Sequence, residues 1–337
     1  MRTVIVYTSS AIIAVILACA GFRYYALVIQ TILASILTFL WNYLSVRPHF
    51  HFRIDKSSIH KIANYSGFQF AFNFVNYFAA NLDNMLTGKI IGNADLGYYN
   101  KAYSLTLYPV NNLSGVISPV LHPILSDYQA EKNIIYKKYL DIIRLLMLIG
   151  CYIEAVCILS AREIIYIISG PQWTKSVICF QMLAFCIVFR MINASSGAIF
   201  QSLGNTKLLF CNGLLNTCIS VIAILIGVLG FGDIKGLSVC VGIAYIIHYL
   251  TASTMLIKMG FRYSLIKYYK DLMSEFLIFL VLITTASFWL HMNVFAGINL
   301  YLSLFMKAGI LTVLYLVLLV ITKKYKVFLA LIKSKAQ

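Results

Sequence analysis

Charge is scarce in this sequence. Only 11% of its 337 residues are Asp, Glu, Lys or Arg, and only 11 residues are acidic. A soluble globular domain carries about 25% charged residues. So little charge cannot cover a solvated surface, so lipid must be the solvent for most of the chain. Close cysteine pairs are also missing. The eight cysteines, Cys19, Cys151, Cys157, Cys179, Cys186, Cys211, Cys218 and Cys240, all lie in apolar runs, and none forms a CxxC. Zinc sites and disulfide frameworks need close pairs on polar loops, so these thiols read as small apolar fillers. There is no Walker loop, no HExxH and no GxSxG. Short-period repeats and low-complexity segments are absent as well. Any chemistry must take place within a helix bundle, and no cofactor is expected.

Long apolar runs dominate what is present. Hydrophobic residues make up 61% of the chain, and the mean hydropathy is +0.85. Ten runs are long enough to cross about 30 Å of hydrocarbon. They are Thr3–Ala20, Tyr24–Leu44, Ala63–Leu82, Tyr98–Leu121, Tyr139–Ser160, Val177–Leu203, Leu208–Leu229, Leu237–Leu256, Ser274–Met292 and Asn299–Ile321. Lipid offers no partner to a backbone N–H or C=O, so each run must be helical. The runs are too long for barrel strands and do not alternate with period two. The expected fold is therefore all-α, a polytopic membrane helix bundle of about ten transmembrane helices. The first run reads as an uncleaved helix rather than a signal peptide, because a second span follows almost at once.

Formal net charge is +16. The basic residues sit in short gaps between apolar runs, where they set topology rather than bind nucleic acid. With Met1 in the cytoplasm, eighteen Lys and Arg fall on the inside, six outside and three within spans. Both termini are thus expected to be cytoplasmic, in a multi-pass inner-membrane protein.

Ionisable residues within spans are functional candidates, since exposing them to lipid costs a few kcal/mol. They are Asp83, Arg144, Glu154, Arg190, His248 and Lys307, and Asn193, Ser195 and Ser196 follow Arg190. Arg144 and Lys307 have a second reading, snorkelling toward an interface. Glu154 lies nearly three turns after Arg144, so the two should not touch. His248 reads better as an interhelix hydrogen bonder than as a proton carrier. Arg190 and Asp83 are the best cavity candidates, since a guanidinium facing a polar lumen suits an anionic ligand. His49-Phe50-His51 reads as an interfacial segment rather than a metal site. Tyr24, Tyr25, Trp41, Tyr43, Tyr98, Tyr99 and Trp173 form an aromatic belt, and tyrosines can also stack on sugars. Pro109, Pro119 and Pro123 share the fourth run with Gly115. They mark either a packing kink or a bent helix that moves during alternating access.

Two stretches, Asn81–Pro109 ("NLDNMLTGKIIGNADLGYYNKAYSLTLYP") and Ser118–Gln129 ("SPVLHPILSDYQ"), are similar to the bacterial polysaccharide transporter family. These are the Wzx-type repeat-unit flippases of the multidrug/oligosaccharidyl-lipid/polysaccharide exporter superfamily. Asp83, Asn84, Gly88, Lys89, Gly92, Leu96, Gly97, Tyr98, Tyr99, Ala102 and Tyr103 match the family run, as do Pro123, Leu125 and Ser126. Gln201–Lys207 is a weaker match. The resemblance implies a MATE-like lobe that flips an undecaprenyl-diphosphate-linked oligosaccharide between leaflets for O-antigen, capsule or exopolysaccharide synthesis. It also implies coupling to H+ or Na+ and polysaccharide polymerase machinery as a partner. Asp83, Arg144, Arg190, Asn193 and Lys307 are the candidate substrate-binding residues. In the family the D-N-x-L stretch opens the second lobe, whereas here it ends the third run, so most of a first lobe is expected to be absent. The expected division is 1–62 (two helices and a cytoplasmic linker), 63–256 (a six-helix second lobe) and 257–337 (two helices and a basic tail). Two other readings compete. A polymerase or glycosyltransferase would need a large outer loop or an acidic motif. A cationic-drug exporter would favour acidic residues in the lumen.

Overall fold

The computed structural model describes residues 2–46, 77, 81–126, 131–292, 295 and 297–327. The described chain is helical, and it divides into two units, Met1–Ala71 and Phe72–Gln337.

The first unit is a hairpin of α1 (Arg2–Leu17) and α2 (Tyr25–Val46). A π turn, Ala18–Phe22, joins them. Polar side chains within α2 bond back to their own helix. Thr31 Oγ1 donates to Leu27 O at 2.7 Å and Thr38 Oγ1 to Ala34 O at 2.7 Å. In lipid this back-bonding satisfies hydroxyls that lack another partner.

The second unit holds α3 (Leu82–Leu86), α4 (Asn93–Ser126), α5 (Lys132–Leu159), α6 (Ala161–Ser169) and α7 (Thr174–Ala184). It continues with α8 (Ile187–Ser202), α9 (Thr206–Leu225), α10 (Ile234–Thr254), α11 (Leu265–Asp271), α12 (Met273–Met292) and α13 (Leu300–Ile321). Side-chain caps start several of these helices. Asn205 Oδ1 accepts from Leu208 N at 3.2 Å, and Asp233 Oδ1 accepts from Gly236 N at 2.7 Å. Each satisfies one of the N–H groups that a helix start leaves unpaired.

Helix α4 packs on α7 and α8, α5 packs on α8 and α12, and α9 packs on α10. Leu146, Met147, Ile187, Tyr249, Leu282 and Leu311 belong to one buried core, so residues on both sides of position 257 share it. A second core gathers Tyr99, Phe180, Leu183, Val228 and Leu237. Apolar burial drives helix association only weakly in lipid, and small residues let helices approach instead. At Gly227 a Cβ would lie 2.7 Å from the Leu237 Cα, so only glycine fits this crossing of α10. Large apolar side chains cover the outer faces. On α13, Phe305 is 73% exposed and Ile321 70%, as lipid contact allows.

Among the described residues, seven helices are long and apolar enough to cross a membrane, or eight counting one bent pair. The expected ten is therefore not what is counted. The third run lies largely outside the described residues, as do His49 and His51. The fourth run is α4, which has 34 residues but is too polar to be among the seven. It stays helical through Pro109, Pro119 and Pro123. The sixth run is the bent pair. It turns by 57° between Ala184 and Ile187, where the sequence has no proline.

Candidate functional site

That bend sets the position of Arg190. It lies in the first turn of α8 and is only 5% exposed. Its guanidinium carbon sits 4.1 Å from the ring centre of Tyr245 on α10 and 4.8 Å from that of Tyr103 on α4. The two hydroxyls of these rings bond each other at 2.7 Å. A desolvated cation over an aromatic face gains about 2 kcal/mol, which offsets part of the cost of burying the charge. Its hydrogen bond to oxygen is long, from Nη1 to Thr106 Oγ1 at 3.5 Å. The Cys186 side chain takes a further hydrogen bond from the guanidinium, and the donors beyond these two contacts are left for a ligand.

Asp83, on α3, is 8% exposed. Its Oδ2 accepts from the Tyr99 hydroxyl at 3.0 Å, and its Oδ1 from Asn84 N at 2.8 Å. The Tyr99 and Tyr103 rings lie 5.8 Å apart. Asp83 and Arg190 therefore belong to one constellation. They are bridged by tyrosines rather than joined as an ion pair. A cavity of about 170 Å³ opens on Asp83, Tyr103, Ser220, Val241 and Tyr245. His248 on α10 places its Nε2 3.3 Å from Ser220 Oγ on α9. That contact is the interhelix hydrogen bond the sequence favoured. A larger groove of about 590 Å³ lies along the first-unit hairpin, against Tyr7, Gln30, Thr31, Ser35, Thr38 and Asn42, with no charged side chain.

The other candidates fall elsewhere. Asn193 is one turn beyond Arg190, half-buried, and its Oδ1 has no partner. Lys307 Nζ contacts Glu163 Oε1 at 2.6 Å, and Ser303 donates to the same oxygen at 2.8 Å. This buried group ties α13 to α6 and stands apart from Arg190. Arg144 reaches Asp141 at 3.2 Å, Glu275 at 3.8 Å and the Asp271 carbonyl at 3.3 Å. Lys324 adds a 2.6 Å contact to Glu275. Arg144 therefore joins a network linking α5, α12 and the end of α13. Glu154 touches neither Arg144 nor the cavity. Its Oε2 accepts from Val188 N at 2.9 Å. Sequence reasoning missed Tyr245, Glu163 and Glu275. The first gives no signal within an apolar run. The other two lie at run edges, where acidic residues look like loop residues.

A helix bundle with several lipid-length spans and a charged, tyrosine-lined interior site defines a multi-pass membrane protein. The chain belongs to the polysaccharide biosynthesis protein family, whose profile matches residues 1–178. It is 25% identical over 170 residues to the teichuronic acid biosynthesis protein TuaB of Bacillus subtilis, covering 50% of this chain and 35% of TuaB. It is 20% identical over 197 residues to the lipopolysaccharide biosynthesis protein WzxC of Escherichia coli, covering 58% of this chain and 40% of WzxC. It is 22% identical over 251 residues to the amylovoran biosynthesis protein AmsL of Erwinia amylovora, covering 74% and 63%. The matches thus span between 35% and 63% of these relatives. In fold, the chain resembles the lipid II flippase MurJ in its inward closed conformation. The TM-score is 0.64 at 14% identity, over 93% of this chain and 67% of MurJ.

Proposed function

We propose that the protein moves an oligosaccharide linked to undecaprenyl diphosphate from the inner to the outer leaflet of the bacterial inner membrane. One observation carries this reading. Arg190 is a buried cation held against the rings of Tyr103 and Tyr245, and these two tyrosines with Asp83 and Ser220 line a cavity. A guanidinium grips a phosphate bidentately, and tyrosine faces accept sugar rings. The roles of TuaB, WzxC and AmsL in teichuronic acid, lipopolysaccharide and amylovoran biosynthesis, and of MurJ as a lipid II flippase, support the same reading.

Both termini lie in the cytoplasm on this reading, as the excess of basic residues there favours. Coupling to H+ or Na+ and hand-over to polymerase machinery belong to the same proposal. So does the division into 1–62, 63–256 and 257–337. The role is transport rather than sugar transfer.

The test is complementation of a strain lacking the gene. Losing a charge-assisted phosphate contact of about 1.5–3 kcal/mol lowers flux by roughly tenfold or more. Arg190→Ala is expected to reduce surface polysaccharide on that scale, and Asp83→Ala, which removes the acceptor of the Tyr99 hydroxyl, to reduce it as well, both at unchanged protein level. Lipid-linked oligosaccharide should then accumulate on the cytoplasmic leaflet. Normal polysaccharide in both variants removes the site assignment. Sugar transfer by membranes that hold no other transferase replaces transport with an enzyme.

A further inference from the structure

The bend between α7 and α8 has a carboxyl group built into it. Glu154 projects from α5 and is fully buried, at 0% exposure. Its Oε2 accepts from the N–H of Val188, the second residue of α8, at 2.9 Å. That N–H is one of those left unpaired at a helix start, and Cys186 supplies no side-chain cap. The other oxygen, Oε1, is buried without a hydrogen-bond partner.

No cation compensates this carboxyl among the described residues. The chain has four glutamates. Glu131 is exposed. Glu163 contacts Lys307, and Glu275 contacts Lys324 and Arg144. Of the four glutamates, Glu154 is the one buried without a basic partner among the described residues. The titratable groups around it are three thiols, Cys151 and Cys157 on its own helix and Cys186 at the bend. Arg190, on α8, is held over Tyr103 and Tyr245. On α13, Tyr315 donates to the Leu148 carbonyl, and Lys307 is bound to Glu163. On α7, Lys175 is bound to Asp95. On α6, the Arg162 guanidinium lies over the Tyr166 ring. The acid of α12, Glu275, is bound to Lys324, and the remaining ionisable group of α12, His291, lies in its last turn.

We propose that Glu154 is a proton-binding site that controls the bend carrying Arg190. Burying an ionised carboxylate with one oxygen unpaired costs several kcal/mol, so the packed arrangement holds the neutral acid. The step is simple proton binding, –COO⁻ plus H⁺ giving –COOH, and the Oε2 bond to Val188 survives it. The ionised form needs water at Oε1, which requires the α5–α8 contact to open. Proton release therefore favours the opened bend, and proton uptake favours the closed one. Arg190 lies half a turn beyond Val188 on α8, so opening moves the anion-binding group. The proton site stands whatever the protein transports.

The experiment uses the full chain in lipid nanodiscs with carbon-13-labelled glutamate. Infrared spectra at neutral pH should show a protonated-carboxyl C=O band that Glu154→Gln removes and that gives way to carboxylate at alkaline pH. Hydrogen exchange is followed in parallel on peptides covering the bend. From neutral to alkaline pH, their protection factors should fall by about tenfold per unit of linked titration in the wild type and stay constant in Glu154→Gln. If the glutamine variant does not fold, the labelled wild-type band alone decides, since every other glutamate is exposed or bound to a cation. A carboxylate band alone at neutral pH overturns the proposal. So does the same fall in protection in both proteins.

Discussion

Removing Lys307 should destabilise the protein rather than merely weaken a binding site. Its ammonium sits 2.6 Å from Glu163 Oε1, and the two side chains are only 10% and 6% exposed. Glu163 accepts a second bond from Ser303 at 2.8 Å, while its Oε2 has no partner. Lys307→Met would leave a buried carboxylate with one hydroxyl donor. Breaking one side of a buried pair costs about 3–5 kcal/mol. With the unfolding entropy per residue of globular chains, that loss lowers Tm by roughly 4–7 °C for a chain this long. Adding Glu163→Leu removes the stranded charge and should restore most of the loss, since apolar replacement of a whole buried pair is close to neutral. The assay is thermal unfolding in detergent, followed by size-exclusion chromatography of the heated samples. A Tm within about 1 °C of wild type for Lys307→Met refutes the reasoning. It would do so most clearly alongside lost polysaccharide, because Lys307 would then contact substrate. Equal losses in the single and double variants refute the pairwise account as well.

Two further outcomes follow from the packing. Gly227→Ala places a Cβ 2.7 Å from the Leu237 Cα, so α10 and the π turn Ile226–Phe231 that continues α9 must separate. A cost of about 1–3 kcal/mol is expected, read as a lower Tm that a glycine-to-alanine change at the open position Gly213 does not reproduce. The Lys175–Asp95 contact is 3.0 Å long, but Lys175 is 64% exposed. Lys175→Ala should therefore change stability by less than about 1 kcal/mol, and a larger drop in Tm would show that this pair is shielded from water.

Composition and run length alone established the all-α membrane architecture, because lipid leaves a long apolar segment no conformation but a helix. Most spans were legible for that reason. Asp83, Arg190 and His248 were legible as candidates because ionisable groups stand out in an apolar run. The sequence could not show which candidates meet. Side chains on different spans come together only through helix crossings, and strongly apolar helices carry little facial pattern to set those crossings. Tertiary structure alone brought Asp83 to Arg190 through Tyr99 and Tyr103, and placed the Tyr245 ring against the same guanidinium. It turned Lys307 toward Glu163 and Arg144 toward Glu275. It also put a bend at the proline-free junction of α7 and α8, where the sequence carried no signal for one. There the acceptor that steadies the broken helix, Glu154, comes from a different span. A local sequence window holds no trace of such a cap.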